Sequence, residues 1–347
     1  MSQITIKDIA AKCGVGVSTV SRAINNHPDI NPETKQMIMD VIQESGYIPN
    51  NSARNLKRSD AKSIAVLVKG ISNTFFSNMI KIIEKECKKK HYSMELRHVE
   101  ADEDEVDTAL ELVKEKRLRG IIFLGGFFLH SEEKLKKLNV PFVFSTVSAS
   151  PQNINKASYS DVTVDDFKES KKVTEFLIKL GHKDIAIISA KIEDVSIGKI
   201  RLDGYLSAMN EHGLSVREAL ISRVDAGTEA YSMKEGYDAT KRLIESGQHF
   251  TAIYAIADNL AVGALRALKD FGLRVPEDVS VIGYDGIEIG EYTIPRLTTL
   301  KQPVEEMAKQ TIKLLFSIIS GKETHQHIVY AGELVERESV AKLNNCD

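Results

Sequence analysis

A small all-α helix-turn-helix head followed by two doubly wound α/β lobes is the fold class that the sequence predicts. Three observations carry it. Apolar residues in the first 60 positions recur only at helical spacing. From Ala61 onward, short continuous apolar runs alternate with amphipathic stretches, the pattern of parallel strands covered on both faces by helices. The strand-opening run Lys62-Ser63-Ile64-Ala65-Val66-Leu67-Val68 also returns as Lys183-Asp184-Ile185-Ala186-Ile187-Ile188-Ser189 about 120 residues later, an ordinary domain size.

In the head, Thr5 followed three residues later by Asp8 forms a capping box, and Ile6, Ile9 and Ala10 share one face of the helix it opens. Gly14 supplies the positive φ that stops that helix. A second helix runs over 17–25 with Val20 and Ile24 inward. Asn31-Pro32-Glu33 gives cap, first-position proline and first-turn acid for a third, whose Met37, Ile38, Val41 and Ile42 repeat until Gly46. A fourth segment, 51–57, is too short and polar to be helical alone. In the lobes, strands are predicted at 64–68, 121–124, 142–144, 185–188, 252–256 and 279–282. Helices are predicted at 79–90, 105–115, 170–180, 202–212, 233–246 and 261–271. Ligands in such sheets lie beyond the carboxyl ends of the strands, so two facing lobes make a cleft.

With 347 residues, 42% hydrophobic and 27% charged, the chain is globular and large enough for several domains. No apolar run is long enough for a membrane span, and the start, Met1-Ser2-Gln3-Ile4-Thr5, lacks the layout of a secretory signal. Three widely spaced cysteines (Cys13, Cys87, Cys346) suit reduced thiols in a cytoplasm and no zinc or disulfide framework. The formal net charge of −3 divides into +1 for residues 1–60 and −4 for the rest. Charge alone does not mark the head as a DNA binder.

Catalytic signatures are absent: no G-x-S-x-G elbow, no phosphate loop ending in G-K-[ST], no H-E-x-x-H, and no metal-ligand spacing among the nine histidines. His182 reads as a helix end leading into a strand rather than as a catalytic group. Asp258 and Asp285 each follow a strand and point toward the mouth of the cleft. Asp258 is open to a second reading as the cap of the next helix, whereas Asp285 has no such helix to cap. Arg201 reads either as a surface cation or as a donor into the cleft. In Asn73-Thr74-Phe75-Phe76, the loop after the first strand, an aromatic could stack on a sugar or base. On the second helix Val17, Ser18, Thr19, Ser21, Arg22 and Asn25 face outward, a set suited to phosphates and base edges in a major groove. Ala53, Arg54 and Leu56 put an apolar side chain beside a cation on the marginal fourth helix, the form of a minor-groove wedge.

These stretches resemble the lactose-repressor/galactose-repressor (LacI/GalR) family of bacterial transcription regulators over nearly the whole chain. Thr5-Ile6-Lys7-Asp8-Ile9-Ala10, Val17-Ser18-Thr19-Val20-Ser21-Arg22, Gly46-Tyr47-Ile48-Pro49-Asn50 and Leu180-Gly181-His182 match. So do Arg201-x-x-Gly204-Tyr205, Gly283-Tyr284-Asp285, Leu297-Thr298-Thr299 and Gln302-Pro303, in family order. The resemblance implies a helix-turn-helix domain at 1–49, a hinge at 50–60 that folds on DNA, and a two-lobed core of periplasmic-binding-protein type at 61–340. It implies a cytoplasmic homodimeric repressor on a pseudo-palindromic operator, contacted by Thr5, Tyr47 and Asn50 together with the outward residues above, with Leu56 as wedge. The core would close on a small effector, a sugar or sugar derivative, through Arg201 and Asp285, with Asp258, Asn73, Phe75 and Phe76 lining the cleft.

A purine fits the same inventory, and some relatives take a phosphoprotein co-regulator. Val17 departs by being apolar, so it can meet only a thymine methyl or similar surface. Asp165-Asp166 stands where the family usually has Asp-Asn, and no leucine heptads follow Val340, so no tetramerising tail is expected. No cofactor and no metal are expected. Two other classes compete: a solute-binding protein, against which the helical head counts, and an enzyme using Asp258 and Asp285 as a carboxylate pair.

Overall fold

The computed structural model describes residues 4–24, 27–45, 47, 62–70, 73–100, 103–127, 130–147, 154–191, 195–224 and 231–343. The chain divides into two compact units, Met1–Ala61 and Lys62–Asp347. Asn25, Asn50, Ala53, Arg54, Leu56 and the hinge segment 51–57 lie outside the described residues.

In the first unit, α1 (Ile6–Lys12), α2 (Val17–Ile24) and α3 (Pro32–Ser45) enclose Ile9, Ala10, Val20, Ala23 and Ile38. The capping box is present in both directions, and Gly14 stands at φ 65°, as the stop signal requires. Asn31 Oδ1 accepts from the Glu33 and Thr34 amides, so the third start signal is also a side-chain cap.

The second unit holds two six-stranded sheets. Sheet A comprises β1 (Ser63–Lys69), β2 (Ser93–Val99), β3 (Gly120–Leu124), β4 (Phe142–Ser145), β5 (Ser160–Val164) and β11 (His327–Tyr330), in the order β11-β5-β4-β3-β1-β2. Sheet B comprises β6 (Ile185–Ser189), β7 (Ile221–Arg223), β8 (Ala252–Ala255), β9 (Ser280–Asp285), β10 (Thr298–Lys301) and β12 (Glu333–Val335), in the order β12-β10-β9-β8-β6-β7. All ladders are parallel except that of β12, which pairs antiparallel with β10. The two orders are the same, and the sheets differ only in the direction of the last edge strand, parallel for β11 and antiparallel for β12.

The helices are α4 (Thr74–Lys89), α5 (Glu105–Glu115), α6 (Glu132–Lys136), α7 (Asp166–Lys179), α8 (Ile197–Glu211), α9 (Met233–Glu245), α10 (Asp258–Asp270) and α11 (Val304–Ile319). Sheet A is buried on both faces, by α4 and α11 on one and by α5 and α6 on the other, giving two apolar clusters. Sheet B has one continuous core. The chain passes between lobes three times: from β5 into α7, from β10 into α11, and from β11 into β12.

Several expectations need correction. Helices α4, α7, α8 and α10 start three to five residues before the expected positions; Asn73, Asp165 and Ser196 cap the first three with their side chains, whereas α10 starts at the buried Asp258 without a side-chain cap. Phe75 and Phe76 therefore lie in the first turn of α4, not in a loop. Arg201 sits inside α8 rather than at its entry. Strands β2, β5, β7, β10, β11 and β12 and the helices α6 and α11 were not among those expected. Edge strand β2 is half exposed and polar at alternate positions, so it offers no continuous apolar run.

Candidate effector site and DNA-binding face

On the head, Val17, Ser18 and Arg22 are exposed on α2, while Thr19 and Ser21 are half-buried. Val20 and Ala23 face inward, so helical spacing leaves the outward residues on one side. Arg22 Nη1 stands 3.6 Å from Asp29, a surface pairing that orients the guanidinium more than it stabilises the fold. The Thr5 hydroxyl is engaged with Asp8 at 2.7 Å at the α1 cap. Tyr47 is half-buried against the core of the head.

The second site grows from the carboxyl edge of sheet B. Arg201 is 2% exposed and reaches inward, so the surface-cation reading falls. Its Nε donates to Asp166 Oδ1 at 2.7 Å, and its Nη1 donates to the Ile256 carbonyl at 2.6 Å and to Asp285 Oδ1 at 3.4 Å. The Tyr284 ring lies under the guanidinium at 3.7 Å. Asp285 also accepts from Gln302 Nε2 at 2.9 Å, and the Asn73 side chain, from the other lobe, acts to lower its carboxyl pKa. Its φ of 119° is a conformation that L side chains rarely adopt, and such strain collects where a side chain must be aimed.

Asp258 has a different role from Asp285. It is fully buried and is the first residue of α10, but its carboxylate caps nothing there. Oδ2 accepts the Gly286 and Ile287 amides at 2.7 and 2.8 Å, and Oδ1 accepts the Thr299 hydroxyl at 2.6 Å. Asp258 thus holds the turn that presents Asp285. The motif Gly283-Tyr284-Asp285 becomes legible from these contacts. A Cβ at Gly283 would lie 2.1 Å from Asp258 Oδ1, so only glycine admits that carboxylate. Tyr284 supports Arg201, and Asp285 pairs with it. Thr299 and Gln302, quoted above only as motif residues, are the partners of Asp258 and Asp285.

Burial raises the carboxyl pKa values in this group. Asp258 is pushed up to about 7 by burial and by repulsion from Asp285, against the bonds from Thr299, Ile287 and Gly286. Asp285 is pushed up to about 6 by burial, against Arg201, Gln302 and Asn73. Asp166 is raised by burial, with Arg201 opposing. Burial works against the Arg201 charge, but Asp166, Tyr284 and Asp285 outweigh it, so the guanidinium stays charged.

Ser189 Oγ at the end of β6, Asn259 Oδ1 in α10 and Gln302 Oε1 are buried without a hydrogen-bond partner among the described residues. Buried polar atoms left unpaired call for a partner. Phe75 and Phe76 meet edge to face at 5.4 Å and share an apolar cluster with Ile287 of the Asp285 turn. They brace that turn from the opposite lobe instead of offering an open stacking face. The structure thus brings Asn73, Arg201 and Asp285 together, with Asp258 and the phenylalanines directly behind. Asp166 was missed as a site residue, although the Asp165-Asp166 departure marked its position. His182 is structural: Nδ1 meets Thr251 Oγ1 at 2.9 Å and Nε2 meets the Ala341 carbonyl at 3.0 Å.

Residues 5–50 match the bacterial regulatory proteins of the lacI family, and residues 174–340 match the periplasmic binding protein-like domain. The HTH-type transcriptional regulator MalR of Clostridium butyricum is 39% identical over 97% of this chain and 99% of its own length. The HTH-type transcriptional repressor PurR of Pasteurella multocida is 30% identical over 97% of this chain and 98% of its own. Among solved structures, the transcriptional regulator CelR in complex with cellobiose is 26% identical, with a TM-score of 0.68 over 97% of this chain and 100% of that one. A head that presents α2, a core of two like-wound lobes and these full-length relatives identify the chain as a member of the LacI family of DNA-binding transcriptional regulators.

Proposed function

We propose that the protein is a homodimeric, cytoplasmic repressor whose grip on a pseudo-palindromic operator is set by a sugar held between the lobes. The observation that carries the effector reading is the buried Arg201–Asp285 pair at the carboxyl edge of sheet B, beside three buried polar atoms that have no partner among the described residues. A fixed donor fork, an aimed carboxylate and spare acceptors suit the vicinal hydroxyls of a sugar, which both donate and accept. The working division is a reading domain at 1–49, a hinge at 50–60 and a core at 61–340, with regulation and no catalysis as its task. In support of a dimer, Tyr292 and Ile294 are 74% and 96% exposed on one loop of the second lobe, an apolar surface suited to a second copy.

A thermal-shift panel of sugars, sugar phosphates and purines tests the effector. A ligand at about 100 times its Kd adds about 2.7 kcal/mol, a shift of several degrees. Arg201→Ala and Asp285→Ala should abolish a genuine hit. Purines belong in the panel because a PurR relative is 30% identical. A response to purines alone would replace the sugar reading, and a flat panel repeated with DNA present would point to the phosphoprotein. For the hinge, Leu56→Ala should weaken operator binding and leave effector affinity unchanged. Equal operator affinity for both proteins would remove Leu56 as the wedge.

A further inference from the structure

The six strands of sheet A all run in the same direction, so their starts form one edge of the lobe, and the chain arriving from the head enters that edge at Lys62. In the connections into β1, β2 and β3 stand Lys62, Lys90, Lys116, Arg117 and Arg119, all exposed, against Asp60 as the one acid in the same stretches of sequence. Lys137, Lys156 and Lys322 continue the strip ahead of β4, β5 and β11, where Glu323 is the one acid. Two of these cations are ion-paired, Lys116 with Glu95 at 2.5 Å and Lys137 with Glu133 at 3.2 Å, and Glu115 is the last residue of α5.

The bland explanation is the helix dipole, since helix C-termini converge on this edge and favour cations. Sheet B provides the internal control. Its helices end at the corresponding edge in the same topology, yet the connections into β6, β7 and β8 carry Lys183 and Arg217 against Asp184 and Glu218. Arg217 is paired with Asp184 at 2.8 Å, and ahead of β9 Arg274 is paired with Asp278 at 2.7 Å. A dipole common to both lobes does not account for positive charge on one. The lobe that carries it is the lobe joined to the DNA-reading head, in a chain whose net charge is −3.

We propose that this amino edge of sheet A is a second DNA-contacting surface, which meets backbone phosphates of the duplex that the head engages. Tyr47 and Lys62 are separated by 15 residues, at most about 50 Å of extended chain, so bound DNA is held at high effective concentration near the edge. Contacts of this kind carry no sequence information and act through counterion release.

The test uses the full chain and a random-sequence duplex of about 60 base pairs, with affinity followed between about 50 and 200 mM KCl. Each phosphate neutralised contributes about 0.9 to the slope of log affinity against log salt. The variant Lys62→Gln/Lys90→Gln/Arg117→Gln/Arg119→Gln should therefore flatten the slope by about two to four. Lys183→Gln/Arg217→Gln on the corresponding edge of the other lobe should leave it unchanged. A quadruple variant with the wild-type slope, or a control that loses as much, overturns the proposal. If the quadruple variant melts early, Lys90→Gln/Arg117→Gln alone is read, with an expected loss of about one to two and the same refuting outcome. Wild-type protein that fails to bind the duplex at all would instead strike at the DNA-binding assignment.

Discussion

Replacing Arg201 by Met removes the one cation set between Asp166 and Asp285 while keeping most of the side-chain volume. Three donated bonds disappear, to Asp166 at 2.7 Å, to the Ile256 carbonyl at 2.6 Å and to Asp285 at 3.4 Å, together with the contact to the Tyr284 ring. Both carboxylates are buried, at 6% and 3% exposure, so neither can turn to water instead. Breaking a buried pair from one side costs about 3–5 kcal/mol, because it leaves uncompensated charge rather than merely losing an attraction. For a unit of this size that is a fall in melting temperature of about 6–15 °C. The cost also has a direction in pH. Without the guanidinium, both acids, already raised above the ordinary carboxyl value, rise further and take up protons, which relieves the burial of charge. The gap between wild type and Arg201→Met should therefore be wide at pH 8 and narrower at pH 5.5, measured by differential scanning calorimetry without ligand. A gap under about 2 °C at pH 8, or one that does not change with pH, would refute the view of Arg201 as the charge that neutralises this site.

Gly283→Ala places a methyl 2.1 Å from Asp258 Oδ1, which overpacking should render as about 1–3 kcal/mol of lost stability; calorimetry showing no loss would mean that the Asp258 carboxylate moves freely. Asp258, pushed up to about 7 from an ordinary 3.8, keeps in the folded chain a proton that the unfolded chain releases between about pH 4 and 7. Stability from this group is therefore greatest at the acid end of that window and falls as pH rises through 7. Asp258→Asn should flatten the melting temperature over that range, and an unchanged pH profile would contradict the assignment. On the head, Arg22→Ala should cost about 1–3 kcal/mol of operator affinity and relax preference at one base, checked by titration against operator variants; an unaltered preference would place Arg22 on phosphate only.

The parallel lobes were legible because a strand covered on both faces must be apolar throughout, as β1 and β6 are, and the head was legible because Thr5, Gly14 and Asn31 are start and stop signals with fixed geometry. Edge strands and strands that join lobes were not: β2, β11 and β12 have half-exposed, mixed faces, and their pairing is decided by chain segments far away in sequence. The site followed the same division. Arg201 and Asp285 could be picked out where strand and helix ends point to a cleft. The Asp258 contacts to Thr299 and to the 286–287 amides join residues 28 to 41 positions apart, and no local pattern states them. Asp166 was hidden for that reason too: its partner lies 35 residues on, and its sequence context reads as a helix start.

The placement of these residues explains how an effector could act at a distance. Asp166 is the first helical residue after the β5-to-α7 passage and is tied to Arg201. Gln302 lies in the β10-to-α11 passage, donating its amide to the Asp285 carbonyl and its side chain to the Asp285 carboxylate. Two of the three passages between lobes are thus bonded directly to the pair proposed to hold the ligand. The third is clamped separately, with Glu169 accepting from the Gly332 amide at 3.1 Å and Lys172 donating to the Gly332 carbonyl at 2.8 Å. A ligand shifts a two-state protein only by binding one state better than the other. Here, hydroxyls competing for Arg201 and Asp285 would alter the bonds that fix two lobe crossings, so lobe angle and ligand affinity change together. The Glu169–Gly332–Lys172 clamp makes no bond to the pair among the described residues, although Glu169 and Lys172 share the helix α7 with Asp166.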